Sequence, residues 1–139
     1  MTRRSRPLFV YGTLLDPAIR AAVIGRRFTG PLRPARLTGY RRWGIQGADY
    51  PAIAPAFGGS VPGGLLARPD DLMLRRLDSH EGPEYVRRAV SVRAGGRLIG
   101  AEAYVAAPGA RLARRPWRLD ARWRRRRAAY LRRMAFAKA

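Results

Sequence analysis

The sequence has no cysteine, a single histidine and a single lysine. Without cysteine there is no disulfide framework, no thiolate nucleophile and no cysteine metal site. One histidine, His80, argues against a histidine-based zinc site and against a Ser-His triad. No apolar run approaches the roughly 20 residues of a membrane span, so no membrane partner is expected. The N-terminal Thr2-Arg3-Arg4-Ser5-Arg6-Pro7 is basic, but the apolar run behind it is too short for a signal peptide. The expected location is the cytoplasm. There is no internal repeat and no linker long enough to divide the chain, so residues 1–139 read as a single domain.

Apolar residues make up 47% of the 139 positions, enough for a core and too many for a disordered chain. The formal net charge is +20, and Lys138 is the only lysine among 29 basic residues, which leaves 28 arginines. So strong a preference for arginine is the mark of a GC-rich coding sequence more often than of selection for function. The charge is uneven. Residues 111–139 hold 12 basic residues against Asp120 alone, and residues 1–110 hold 17 against 8 acidic ones. A basic C-terminal stretch can bind nucleic acid or another polyanion, or can simply be a solvated face. No nucleic-acid-binding motif accompanies it.

Leu8-Phe9-Val10-Tyr11-Gly12-Thr13-Leu14 organises the rest. Its apolar, β-prone residues predict a buried strand over about 7–11, stopped by a glycine turn. Asp16-Pro17 then supplies an N-cap and a first-turn proline for a short helix, about Pro17 to Ile24, ending at Gly25. Strand, turn and helix start gather backbone N–H groups in one concave place, which suits a carboxylate or a developing oxyanion. A strand is expected near 34–45, and Tyr50-Pro51-Ala52-Ile53-Ala54-Pro55 reads as extended. Phe57-Gly58-Gly59-Ser60 reads as a turn before a strand from Val61 to Ala67, whose Gly63-Gly64 allows close backbone approach. The clearest helix covers about 70–81, from Pro69-Asp70-Asp71 to Gly82-Pro83. A hairpin follows: Tyr85 to Arg93, a turn at Ala94-Gly95-Gly96, and Arg97 to Ala106 with Leu98, Ile99 and Tyr104. A basic helix over about 120–137 places Trp123, Tyr130 and Met134 in one arc with Arg126, and Leu119 precedes it.

Met73, Leu74 and Leu77 form the apolar stripe of the 70–81 helix, and Glu81 continues it four residues after Leu77. Two readings of Glu81 stand on spacing alone. It is an exposed helix-end glutamate, or it is a partly desolvated carboxylate at the unfavourable end of the helix dipole. The second raises its pKa toward the range useful for proton transfer near neutrality. Asp78 should turn away and serve as a hydrogen-bond acceptor. His80 reads as a surface residue.

Phe9-Val10-Tyr11-Gly12-Thr13-Leu14 and Leu77-Asp78-Ser79-His80-Glu81-Gly82, followed by Tyr85-Val86-Arg87, resemble the γ-glutamylcyclotransferase family. The resemblance is closest to its γ-glutamylamine cyclotransferase and AIG2-like branch. Tyr50-Pro51, Val61-Pro62-Gly63-Gly64-Leu65, Val90-Ser91-Val92, Tyr104 and the Trp117…Trp123…Tyr130 tail extend it over most of residues 8–136. The glutathione-specific branch carries a different loop after its glycine turn. The resemblance implies an α+β fold, a small mixed β-barrel with flanking helices, and a pocket between the glycine loop and a glutamate. It implies release of 5-oxoproline from a γ-glutamyl small molecule with no metal or organic cofactor. Glu81 matches the catalytic position, with Tyr11, Gly12, Thr13 and Leu14 at the substrate. Tyr104 either lines the pocket or sits in the barrel core. Arg87 and Arg88 either attract the substrate α-carboxylate or face water, and the Gly39–Asp49 stretch with Tyr40 and Trp43 is a candidate wall for the leaving group. The alternatives are a non-catalytic ligand-binding protein of the same fold and a polyanion-binding protein. The leaving group and the oligomeric state are open.

Overall fold

The computed structural model describes residues 6–25, 31–48, 50–67, 69–113, 115, 117, 123, 125–129 and 131–132. Five strands are present: β1 (Leu8–Val10), β2 (Arg33–Gly44), β3 (Pro51–Leu66), β4 (Tyr85–Ala94) and β5 (Arg97–Ala106). They close into a barrel in the order β1-β3-β2-β4-β5. Every pairing is antiparallel except β1 with β5, where Leu8 lies opposite Glu102 in parallel. The barrel is therefore mixed, and its closure leaves no open sheet edge.

Alternation builds the interior. Ala35 and Leu37 of β2, and Val90, Val92 and Ala94 of β4, are buried while their neighbours face out. They meet Phe9, Tyr11, Ile53, Val61, Ala101, Ala103 and Val105 inside the barrel. The opposite face of β1, Leu8 and Val10, joins a second cluster with two helices, α1 (Pro17–Ile24) and α2 (Asp71–Glu81). Both faces of β1 thus meet apolar groups, which explains why Leu8-Phe9-Val10 is an unbroken apolar run. Ile19 and Val23 of α1 and Met73 and Leu77 of α2 supply the helix side.

The helix ends follow from their caps. The Asp16 carboxylate accepts from the Ala18 N–H at 2.9 Å, and Asp70 accepts from the Met73 N–H at 2.8 Å. Gly25 ends α1 and Gly82, at φ 74°, ends α2. The β4–β5 hairpin turns on Gly95-Gly96, both with positive φ, as a two-residue connection between twisted strands requires.

One expectation is corrected. Phe57-Gly58-Gly59-Ser60 does not separate two strands. β3 runs through it, and between the pairs Thr38↔Ser60 and Tyr40↔Pro55 the single residue Gly39 faces four, Ala56 to Gly59. The surplus is thrown outward as a bulge, with Gly58 at φ 74° and Phe57 fully exposed. The expected strand from Arg97 to Ala106 is present, and its period places Leu98 on the outer side, exposed. The expected close approach at Gly63 is present: a Cβ there would overlap the Val10 carbonyl oxygen and the Phe9 ring.

At the C-terminal end, residues 125–129 are helical and Trp123 is buried. The Trp123 indole N–H donates to the buried Asp16 carboxylate at 3.1 Å, and Arg127 pairs with the same carboxylate at 3.2 Å. This segment packs on the start of α1. Leu119, Asp120, Tyr130 and Met134 lie outside the described residues, as do Arg122, Arg124 and Arg133. Arg126, on the expected apolar arc, is exposed. No helix among the described residues is long and apolar enough to cross a membrane.

Candidate active site

β1 leads directly into the site. After Val10 the backbone turns at Tyr11-Gly12 and enters a short 3-10 segment, Thr13–Leu15. The Leu15 and Asp16 N–H groups bond back to the Gly12 and Thr13 carbonyls. The N–H groups of Gly12, Thr13 and Leu14, at the start of the turn, have no partner within it. Gly12 is required by packing rather than by φ, since a Cβ there would come within 2.7 Å of the Pro51 ring.

A cavity of about 80 Å³ opens beside this loop. Phe9 to Leu14 form one wall, Tyr50 and Pro51 another, and His80, Glu81, Tyr85 and Tyr104 complete it. All six residues singled out from the sequence, Tyr11, Gly12, Thr13, Leu14, Glu81 and Tyr104, line this one cavity. They come from three places in the chain: the end of β1, the end of α2 and the middle of β5.

Glu81 is the last residue of α2, partly buried at the cavity wall. Removal from water, and then the Asp78 carboxylate on the preceding turn, push its carboxyl up to about 8. The residue is therefore not the exposed helix-end glutamate that spacing left open. Asp78 is exposed, as its position after Leu77 implies, and it is a hydrogen-bond acceptor. It receives the Tyr104 hydroxyl at 2.6 Å and the Arg87 guanidinium at 3.1 Å.

The tyrosines of the wall are committed donors. The Tyr11 hydroxyl donates to the Tyr104 carbonyl at 2.5 Å, the Tyr85 hydroxyl to the Pro51 carbonyl at 2.5 Å, and the Tyr50 hydroxyl to Glu84 at 3.0 Å. Burial raises the pKa of Tyr11, Tyr85 and Tyr104, and the charge of Glu81 adds to it in each. These phenols stay protonated near neutrality and fix the wall around the Glu81 carboxyl. Of the two places offered for it, Tyr104 takes the cavity wall; it is buried in the helix-side cluster rather than in the barrel interior.

Several expectations are displaced. His80 is not a plain surface residue; it is partly buried and lines the cavity. Arg87 is spent on Asp78 and on Glu102, at 3.0 Å from the latter, and Arg88 is exposed; neither lines the cavity. Tyr40 packs against the barrel core and Trp43 lies under Arg41, both away from the cavity, because they belong to the long β2 strand rather than to a loop. Asp49 is outside the described residues. Tyr85 was read as a strand start and Tyr50-Pro51 as an extended segment, and both belonged to the family resemblance, but neither was named as a site residue. Their shared signal is adjacency to Pro or Gly turns that end elements at one rim of the barrel. Arg42, whose guanidinium donates to the Tyr11 carbonyl at 2.5 Å, had no signal in the sequence.

A sequence profile described as "Gamma-glutamyl cyclotransferase, AIG2-like" matches residues 8–125. The chain belongs to that family. Its match therefore spans the glycine loop, Glu81, Tyr104 and the whole barrel. Protein AIG2 C from Arabidopsis thaliana is 37% identical to this AIG2-like chain over 89 residues, 64% of this chain and 53% of that protein. The chain spans about half the length of the curated relatives it matches. A solution structure from Arabidopsis thaliana is 30% identical with a TM-score of 0.67, covering 99% of this chain and 84% of that one. A structure named "Gamma-glutamyl cyclotransferase" superposes with a TM-score of 0.60 at 20% identity, over 78% of this chain and 68% of that one, and shows the shared fold. An AIG2-like barrel with flanking helices is thus common to both.

Proposed function

We propose that this AIG2-like chain is an enzyme that releases 5-oxoproline from a γ-glutamyl compound, with Glu81 as general acid and base. One observation carries the reading. A carboxyl raised to about 8 lines a small cavity together with the Gly12–Leu14 turn, whose first N–H groups have no partner inside the turn.

The chemistry fits those parts. The substrate's α-amine must lose a proton before it can attack its own γ-carbonyl. Ionised Glu81 takes that proton, and the positive α-ammonium favours the ionised form once bound. The α-nitrogen then bonds to the γ-carbon, and the carbonyl electrons move onto oxygen. N–H groups of the Gly12–Leu14 turn are suited to hold that oxygen, or the substrate α-carboxylate, with a preorganised donor worth about 3–4 kcal/mol. As the oxyanion collapses, the bond from the γ-carbon to the leaving nitrogen breaks and Glu81 returns its proton to that nitrogen; the ring nitrogen's second proton follows by the same carboxylate, so the amine departs as its ammonium. The products are 5-oxoproline and an amine, and Glu81 is again ionised. Attack within one molecule needs the glutamyl chain held folded, which a snug wall of tyrosines supplies. No cofactor enters, and the partner implied is a small γ-glutamyl molecule.

The test is 5-oxoproline release by the purified chain from γ-glutamyl amino acids, γ-glutamylamines and γ-glutamylated biosynthetic intermediates. Release from at least one class is expected. A folded protein that releases none, yet is stabilised thermally by 5-oxoproline, would instead be a ligand-binding member of the same fold.

A further inference from the structure

Arg42 lies on β2 directly across from Ile53 of β3, one of the most deeply buried residues of the barrel interior. Opposed residues of two strands project to the same face. A guanidinium on the face that carries Ile53 is costly to desolvate unless something returns the cost. Here it donates to a main-chain oxygen, the carbonyl of Tyr11, which it reaches at 2.5 Å. The Arg42 guanidinium carbon also lies over the Trp117 ring, 5.8 Å from its centroid.

The Tyr11 carbonyl and the Gly12 N–H belong to one peptide unit. That unit is planar and trans, so its oxygen and its N–H point to opposite sides. Arg42 grips the oxygen, and Gly12 lines the cavity. A cationic donor on the oxygen draws electron density through the amide and strengthens the N–H on the other side as a donor. Tyr11 is fixed at its far end as well, since its hydroxyl donates to the Tyr104 carbonyl and receives a backbone hydrogen bond from Ile53. The cross-strand pair Arg42 and Ile53 therefore clamps both ends of Tyr11.

We propose that Arg42 is a positioning residue that orients and polarises the Tyr11–Gly12 peptide, so that the Gly12 N–H serves as the principal oxyanion donor of the cavity. The role in catalysis rests on the cyclotransferase reading; the clamp on the peptide does not.

The experiment uses the full chain with Arg42→Met, which keeps the apolar stem, and Arg42→Lys, which keeps a charge. The Gly12 amide nitrogen and Tyr11 carbonyl carbon are followed by NMR, and 5-oxoproline release is measured beside them. In Arg42→Met both resonances should move upfield, with other barrel amides little changed. The kcat should fall by roughly tenfold, with KM changed far less, as expected for an indirect loss of one oxyanion donor. Arg42→Lys should recover part of both. The proposal is overturned if Gly12 and Tyr11 do not move, if the shifts spread evenly through the barrel, or if KM alone changes. If wild type releases no 5-oxoproline, the cyclotransferase reading fails, while the NMR arm still decides whether Arg42 clamps the peptide. Should Arg42→Met not fold, Arg42→Lys decides: Gly12 and Tyr11 resonances moved upfield, with kcat lowered by less than about tenfold, support the proposal, and unmoved resonances with unchanged kcat, or an evenly perturbed barrel, overturn it.

Discussion

Replacing Glu81 by glutamine should stabilise the protein, and increasingly so as pH rises. The carboxyl ionises at about 8 in the folded chain against an ordinary 4.5. Between those values the folded state keeps the proton and the unfolded state has lost it, so rising pH favours unfolding. Each pH unit in that window is worth about 1.4 kcal/mol, which gives roughly 5 kcal/mol if the whole interval counts. Partial access of Glu81 to the cavity reduces this to about 3–5 kcal/mol. Glutamine fills nearly the same volume and has no charge to desolvate. Below the ordinary carboxylate range the two chains should unfold alike. Through the window the wild type should lose ground, and above about pH 8 the gap should stay constant. For a chain of this size the full gap corresponds to a difference in Tm of roughly 10–20 °C. Paired thermal unfolding followed by far-UV circular dichroism from about pH 4 to about pH 9 measures it, and the subtraction cancels the large background of arginine repulsion. Parallel curves at every pH would refute the desolvation of Glu81, and with it the physical basis of its role as a proton carrier.

Other consequences are as specific. The chain has three glutamates, Glu81, Glu84 and Glu102, so side-chain carboxyl NMR should show one of three resonances titrating near 8 and absent from Glu81→Gln. Asp78→Asn removes the second cause of that shift, so the same resonance should titrate at lower pH, and the Tyr104 hydroxyl should keep an acceptor that is uncharged and weaker. Gly12→Ala drives a methyl carbon to 2.7 Å from Pro51; it should cost about 1–3 kcal/mol by chemical denaturation and abolish release more completely than it unfolds the protein. Trp123→Ala should cost about 3–5 kcal/mol, because it empties a buried site and strips a donor from the Asp16 carboxylate.

How much of this was legible in the sequence depends on the range of each signal. The caps Asp16 and Asp70, the stop at Gly82 and the Gly95-Gly96 turn act on neighbouring residues, and the elements they delimit lie where local chemistry places them. The burial of Glu81 was half legible: its place on the Leu77 stripe set its direction, but the tyrosine wall around it comes from the residues at the end of β1, just before β3, at the start of β4 and in β5. The Phe57–Ser60 stretch misled because Gly-Gly has the same local meaning in a turn and in a bulge, and only the pairing with Gly39 distinguishes them. His80 misled because a helix-end residue has no periodic sign of facing a cavity. Arg42 was invisible, since its partner is a main-chain oxygen 31 positions away and no residue type announces that contact. The pocket residues themselves came through the family resemblance, where order and spacing carried what single residues could not.

The central claim is that the Glu81 carboxyl carries the proton of an internal cyclisation. It is tested most directly by single-turnover 5-oxoproline release from one γ-glutamyl substrate, comparing wild type with Glu81→Gln. The expected result is a rate lower by about 10²–10⁴-fold in the variant, with 5-oxoproline still bound and the far-UV spectrum unchanged. A variant that is folded, binds 5-oxoproline and releases it from substrate at the wild-type rate would contradict the account.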